Sequence, residues 1–308
     1  MKAEPPPGAG PERRCIIFNP TAGGNRARHL REILDHLPGR PTLMPTQCAG
    51  DARRLAAEAI ASGYTTITAA GGDGTVNEVV DGLMTYPERL PGLRFGILPL
   101  GTINVLALEL AIPFDWSKAW QLILGKGTRS IDVPRATYTN ETGETHRHFI
   151  QLAGAGWDAH AIQLVRWNLK KTLGPLAYFI AGATALGRDN PAITAHSAEA
   201  TATGQLVLIG NGRYYAGAYP FFHRAKYDDG LLDVLVFDRF DWKNLPRYGL
   251  KFLTGQLFRP GSCHYFQTPF LHLTSTLPAA LQLEGDHVGH LPALLQITSH
   301  RLRVAIPS

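Results

Sequence analysis

From Cys15 to about Leu110 the chain repeats one pattern, a short apolar run followed by a segment with apolar residues at helical spacing. "CIIFNP" precedes "NRARHLREILDHL", in which Ala27, Leu30, Ile33 or Leu34, and Leu37 share a side. "TLMPTQ" precedes "ARRLAAEAIASG", with Asp51 as the expected cap and Gly63 as the stop. "TTITAA" leads into "VNEVVDGLM", whose Val76, Val79, Val80 and Leu83 form one stripe, and "RFGILPL" leads into "INVLALEL". Repeated units of this kind predict a parallel sheet flanked by helices. Ligands of such sheets bind beyond the carboxyl ends of the strands, where the loops "NPTAGG", "GGDGT" and "PLGTIN" all fall.

From about Ile131 the texture changes. "HFIQLAGAG", "GQLVLIGNGRYYAG", "LLDVLVFDRF", "HYFQTPFLHL", "ALQLEGDHVG" and "LLQITSHRLRVAIP" read as strands and turns, so a largely antiparallel second domain is expected. Helical spacing returns over Asp158 to Gly187 and over Trp242 to Phe258. The expected division is a proline-rich tail over 1–13, an α/β domain over 14–130 and a β-rich domain over 131–297.

A length of 308 residues allows two domains with separate cores, and 44% hydrophobic with 18% charged residues reads as a soluble globular protein. The most apolar stretch, "LGPLAYFIAGATALG", is interrupted by Pro175 and glycines, which excludes a membrane span. "MKAEPPPGAGPERR" has no apolar segment of the kind a secretory signal needs. Cys15, Cys48 and Cys263 are odd in number and widely spaced, so neither a disulfide framework nor a zinc site is expected; a cytoplasmic location fits. The net charge of +5 leans towards anionic partners.

"AAGGDGTVNEVV" carries the chemistry. A glycine-rich turn between strand and helix points backbone N–H groups into one concavity, and the helix N-terminus adds its positive end, so phosphate is favoured. Gly71 and Gly72 permit close approach, and Thr75 can donate a hydroxyl. Asp73 repels anions; its presence there indicates a magnesium ion, or a hydroxyl to be deprotonated, beside the phosphates. No Walker A lysine motif is present. "GAGWDA" matches a dinucleotide fingerprint but lacks the acid expected about 20 residues later, so it reads as a turn.

"IIFNPTAGG", "AAGGDGTVNEVVDGL", "GILPLGTINVLA", "GAGWDAHAI", "YDDGLLDVLVF" and "LQLEGDHVG" occur in the order found in the diacylglycerol kinase catalytic family. The chain resembles that family, which includes bacterial lipid, sphingosine and ceramide kinases, over nearly its whole length after the tail. The resemblance implies an N-terminal Rossmann-like α/β nucleotide domain, a C-terminal antiparallel β-rich lipid domain, a cleft between them, and a last strand near 298–308 that returns to the first domain. It implies an ATP-dependent, magnesium-requiring kinase of a lipid hydroxyl (diacylglycerol, a ceramide or sphingoid base, or similar). Nucleotide contacts carry over to Asn19, Pro20, Thr21, Ala22, Gly23 and Thr46, to Gly71, Gly72, Asp73, Gly74, Thr75, Val76 and Asn77, and to Thr102. The family's structural magnesium position carries over to Lys226, Asp229 and Leu231.

One departure matters. Many family members read "DGE" near the C-terminus, with the last acid as proton acceptor, whereas this chain reads Glu284-Gly285-Asp286. Position by position Asp286 inherits that role, Glu284 is one methylene longer, and in the sphingosine-kinase branch the acid corresponding to Asp73 has it. All three are candidate bases.

"WKNLPRYGLKFLTGQLFRPG" places Lys243, Arg247 and Lys251 at four-residue spacing beside Leu245, Phe252 and Leu253. A basic face beside an apolar one suits an anionic membrane surface. The expected protein is a cytoplasmic, peripherally membrane-associated lipid kinase with no nucleic-acid partner. The alternatives are a NAD kinase-like enzyme, which also carries a "GGDGT" loop, and a nucleotide-binding regulator that has lost catalysis.

Overall fold

A computed structural model of the chain describes residues 12–20, 34, 37–101, 104–156, 191–215, 217–239 and 263–308. The chain divides into two compact units, Met1–Ile131 with His300–Ser308, and Asp132–Ser299.

The first unit is built on β1 (Arg14–Phe18), β2 (Thr42–Pro45), β3 (Thr66–Gly71) and β4 (Arg94–Pro99). The parallel order is β2–β1–β3–β4, with Ile16 beside Leu43, Ile17 beside Ala69 and Ala69 beside Ile97. Every residue of β3 is buried, and so are all but the first of β1 and of β4. Strands covered on both faces need continuous apolar runs, which is why "CIIF" and "ITAA" show no alternation. The chain places β2 on one side of β1 and β3 on the other, so the strand order reverses between β1 and β3.

Helix α1 (Asp51–Ala61) follows β2, and α2 (Asp73–Leu83) follows β3. The predicted stripe of α2 is found in the core, where Val76, Val79, Val80 and Leu83 are at most 2% exposed. The two helices meet closely at Gly82, where an added Cβ would lie 2.1 Å from the Arg53 carbonyl oxygen. Asp51 differs from expectation. It is the first residue of α1, and its Oδ2 accepts from Gln47 N at 2.8 Å and Cys48 N at 3.4 Å, holding the preceding turn. The expected helix over 25–37 lies outside the described residues except at Leu34 and Leu37, both buried.

Helices α3 (Val105–Glu109) and α4 (Trp116–Leu124) are the remaining α-helices of this unit among the described residues. Asp115 caps α4 by accepting from Lys118 N at 2.8 Å. Arg94 donates to the carbonyls of Ile123 and Leu122 in the last turn of α4 and to that of Gly127 just past it.

The second unit contains β5 (Thr128–Asn140, from Asp132 on), β6 (Gly143–His148), β7 (Leu152–Gly156), β8 (Ile193–His196), β9 (Thr201–Gly204) and β10 (Leu206–Gly210). It continues with β11 (Leu232–Phe237), β12 (His264–Thr268), β13 (Phe270–Ser275), β14 (Ala280–Leu283) and β15 (Asp286–Ala305). The pairings β12–β11–β10–β7–β14–β15 are all antiparallel, and β13 lies between β8 and β15. The last residues of β15 belong to the first unit, where Val304 pairs in parallel with Phe95.

Alternation along β10 and β11 separates two cores. Val207, Ile209, Val234 and Val236 join Leu271, Leu281 and Leu295 in the larger one. Leu206, Leu208, Leu235 and Phe237 face the other way, onto Phe222 and Ala225. The stretches from Asp158 to Gly187 and from Trp242 to Phe258 lie outside the described residues, as do Lys243, Arg247 and Lys251.

Candidate active site

The parallel strands of the first unit deliver their loops to one edge. Asn19 N donates to Ala70 O at 3.1 Å, Thr46 N to Phe18 O at 2.9 Å and Leu100 N to Gly71 O at 2.9 Å. These bonds extend the sheet by one residue past β1, β2 and β4. Asn19, Pro20, Thr46, Gly71 to Gly74, and Gly101 are thereby brought to the carboxyl ends, on both sides of the strand-order reversal. Thr21, Ala22, Gly23 and Thr102 lie outside the described residues.

Two glycine turns abut at the start of α2. A Cβ on Gly101 would meet the Gly72 Cα at 2.9 Å and the Asn104 Oδ1 at 2.8 Å. Only hydrogen fits there. Gly72 occupies the N-cap position, and no side chain caps the helix. Thr75 lies over Gly71, where a Cβ would come 2.4 Å from its Oγ1, so the hydroxyl sits against the strand end. A Cβ on Gly74 would meet nothing. Val76 is turned into the core and its N–H donates to Gly72 O at 3.1 Å, so it offers a nucleotide neither group.

Asp73 joins the two turns. Its Oδ1 accepts from Val105 N at 2.7 Å. Burial raises its carboxyl above the ordinary range, against the lowering effect of the N–H groups of Val105, of Asp73 itself and of Asn104. Asn104 has a left-handed φ of 50° and donates its Nδ2 to Gly71 O at 2.9 Å. The Oδ1 atoms of Asn104 and Asn77 are buried without a hydrogen-bond partner. Two orphaned acceptors beside an uncapped helix start mark a place where a donor is missing.

In the second unit, Lys226, Asp229 and Leu231 share one loop ahead of β11. Asp229 Oδ1 accepts from Leu231 N at 3.0 Å, and the buried Asp132 on β5 accepts from Gly230 N through Oδ2 at 2.7 Å. Burial first, then the neighbouring carboxylates of Asp132 and Asp228, raise the Asp229 carboxyl against the opposing charge of Lys226. A hard cation would relieve that crowding, and one carboxylate with two backbone carbonyls is an oxygen donor set it accepts. The chemistry of these donors is of the kind that magnesium takes, although no group of three or more His, Cys, Asp or Glu side chains gathers there or elsewhere among the described residues.

Glu284 and Gly285 form the turn between β14 and β15, with Asp286 as the first residue of β15. The three candidate bases differ sharply. Glu284 accepts from Ile150 N and Gln151 N, Asp286 is exposed, and Asp73 is bonded to Val105 N.

Residues 13–136 match the profile of the diacylglycerol kinase catalytic domain, and residues 151–306 that of the YegS C-terminal NAD kinase beta sandwich-like domain. A "Probable lipid kinase YegS-like" protein of Stenotrophomonas maltophilia (strain K279a) is 31% identical, over 97% of this chain and 97% of its own. The chain belongs to the diacylglycerol kinase catalytic family. A "Diacylglycerol kinase" of Staphylococcus haemolyticus (strain JCSC1435) is 28% identical over 96% of this chain and 89% of its own. The fold is that of a diacylglycerol kinase crystal structure from Bacillus anthracis str. Sterne, with a TM-score of 0.73 at 22% identity, covering 96% of this chain and 97% of that one.

In this lipid kinase, sequence reasoning missed several buried polar residues of the second unit. Asn211 is fully buried and donates Nδ2 to Ile150 O at 2.8 Å and Asp132 O at 3.1 Å. Asp233, on the smaller core's side of β11, is bonded to the Tyr265 hydroxyl and to Gln267 Nε2; burial pushes its carboxyl up to about 6. The available signal was an acid or amide inside an apolar strand, as in "SIDVP", "LIGN" and "LLDVLVF". No helix among the described residues is long and apolar enough to cross a membrane.

Proposed function

We propose that this kinase transfers the γ-phosphate of ATP in line to the hydroxyl of a lipid, diacylglycerol or a ceramide or sphingoid base, which it reaches at an anionic membrane surface. The observation that carries the reading is the pair of abutting glycine turns at the uncapped start of α2, beside the strand-order reversal. Backbone N–H groups there, with the helix dipole, hold a polyphosphate without a side-chain cation.

Asp286 takes the proton of the attacking hydroxyl. It inherits the family position, and its exposure leaves it open to a substrate, whereas Glu284 and Asp73 are engaged by backbone amides. Lys226, Asp229 and Leu231 would hold a magnesium ion; magnesium bound with the nucleotide supplies charge neutralisation as the phosphoryl group leaves ADP. Family membership supports a catalyst over a lapsed regulator.

The test is transfer of labelled γ-phosphate from ATP to diacylglycerol, ceramide, sphingosine, phosphatidylglycerol and NAD, with and without magnesium. Magnesium-dependent labelling of one lipid is expected. Labelling of NAD alone would establish the second reading, which the NAD kinase-like description of the second unit's profile keeps in view. Labelling of nothing would return the regulator.

A further inference from the structure

The Glu284-Gly285 turn is a two-residue hairpin connection, with Leu283 paired to Asp286. Both turn residues have left-handed φ, 55° and 80°. Such connections favour Asn-Gly or Asp-Gly, because a short polar side chain tolerates this backbone. Glutamate does not share that tolerance, so a contact elsewhere must hold it there.

That contact is its own carboxylate. Oε1 accepts from Ile150 N and Gln151 N, each at 2.7 Å, across more than 130 positions of chain. The Glu284 N–H donates to Leu152 O at 3.0 Å, and the fully buried Gln282 accepts from Gly285 N at 2.8 Å. An aspartate side chain is one methylene shorter, so Glu284 combines an unfavourable turn residue with the longer reach. The two amides that it grips lead inward. Gln151 O accepts from Asn211 N at 2.9 Å, Asn211 Nδ2 reaches Ile150 O and Asp132 O, and Asp132 Oδ2 accepts from Gly230 N. The Gln151 side chain also receives the Tyr227 hydroxyl. Direct hydrogen bonds therefore run from the hairpin tip to the loop that carries Asp229.

We infer that Glu284 is a positioning residue for phosphoryl transfer. Its carboxylate locks the turn so that Asp286 holds one orientation, and it ties that turn through Gln151, Asn211 and Asp132 to the loop of Asp229. The Glu284 Oε1 already receives two peptide N–H groups, so it is engaged by the backbone, whereas Asp286 is exposed. The inference rests on the assignment of Asp286 as the proton acceptor.

The experiment uses the intact chain and whichever lipid the labelling assay identifies, and it measures kcat, KM for ATP, the kcat–pH profile and the melting temperature. Glu284→Gln keeps an acceptor of the same reach, so kcat should stay within about 5-fold of the parent with an unmoved acidic limb. Glu284→Ala should lose roughly 30- to 100-fold in kcat with KM for ATP unchanged, since the glycine turns are in the other unit. Glu284→Asp suits the turn but lacks the reach, so it should resemble the alanine variant in kcat while keeping the parent's melting temperature.

A glutamine variant as inactive as the alanine variant, or an acidic limb lost with it, would make Glu284 itself the base and overturn the inference. So would parent-like kcat in both the alanine and aspartate variants. If the alanine variant does not fold, the comparison of aspartate with glutamine decides. Asp286→Asn reports separately. Parent-like kcat there removes the assignment of Asp286, whatever the Glu284 variants do, and full inactivity with an active Glu284→Gln leaves both statements standing.

Discussion

Asp73 offers a clean separation of charge from shape. Its carboxylate is half-buried, raised in pKa by that burial, and receives N–H groups from Val105, from Asn104 and from its own backbone. Asp73→Asn keeps an oxygen in the place that accepts from Val105 at 2.7 Å and removes a charge that burial already disfavours. Its stability should therefore stay within about 1 kcal/mol of the parent. Asp73→Ala leaves the Val105 and Asn104 amides without that acceptor, which costs about 1–3 kcal/mol for each group that water cannot reach. Roughly 2–4 kcal/mol in total corresponds to a fall of about 5–15 °C in the melting temperature. If the glycine turns hold the nucleotide as proposed, turnover should fall about 100-fold or more in both variants, because both remove the negative charge at those turns. Differential scanning calorimetry and single-turnover transfer of labelled phosphate read the two effects separately. An asparagine variant with near-parent turnover would show that Asp73 only braces the turns. An alanine variant as stable as the parent would show that the bonds to Val105 and Asn104 contribute nothing.

Gly82→Ala should destabilise the first unit by about 3 kcal/mol or more, since the new methyl would lie 2.1 Å from Arg53 O and force the two helices apart; urea unfolding measures it. Asp233 has a folded pKa of about 6 against an ordinary 3.8, so the folded state holds a proton that the unfolded chain has released between those values. Stability should fall as pH rises from 4 to 6, by roughly 3 kcal/mol at most, and Asp233→Asn should flatten that slope in denaturant melts. Replacing Lys243, Arg247 and Lys251 together by Gln should weaken sedimentation with anionic vesicles by roughly two orders of magnitude, at about 1 kcal/mol per charge. Activity on detergent-dispersed lipid should change little, and unaltered vesicle binding would place the membrane contact elsewhere.

What was legible in the sequence is what local chemistry dictates. Apolar runs such as "CIIF" and "LVLIG" can only be covered strands, and the stripe Val76, Val79, Val80, Leu83 can only be one side of a helix; both are found so. The hairpin of β5 and β6 gave no such signal, because "GETHRH" carries no apolar side chain to show a strand period. The short β8 and β9 do alternate, but their inward residues, Ile193, Ala195 and Ala202, are mostly small, and at four residues each they gave too weak a pattern. Asp51 looked like a cap because an acid at a helix start usually is one; the structure instead has Gly50 with φ 88° in that place. The grip of Glu284 on Ile150 and Gln151, or of Asp132 on Gly230, joins residues roughly a hundred positions apart, and no local pattern announces it. The glycine turns were legible because close approach needs glycine at Gly71 and Gly101; the supports of the acids were not, because each is made by a backbone amide that any residue supplies.

The second parallel partner of β4, on the side away from β3, comes from the end of β15, after the whole of the second unit has been made. While the chain grows on the ribosome, β4 therefore presents an open edge to whatever is nearby. The first unit cannot close its own sheet from residues 14–131 alone, so its final stability arrives only once residues 300–305 have joined it. A fragment cut before His300 would keep every glycine turn and every acid discussed above, and would still carry an unsealed edge where Phe95 waits for Val304.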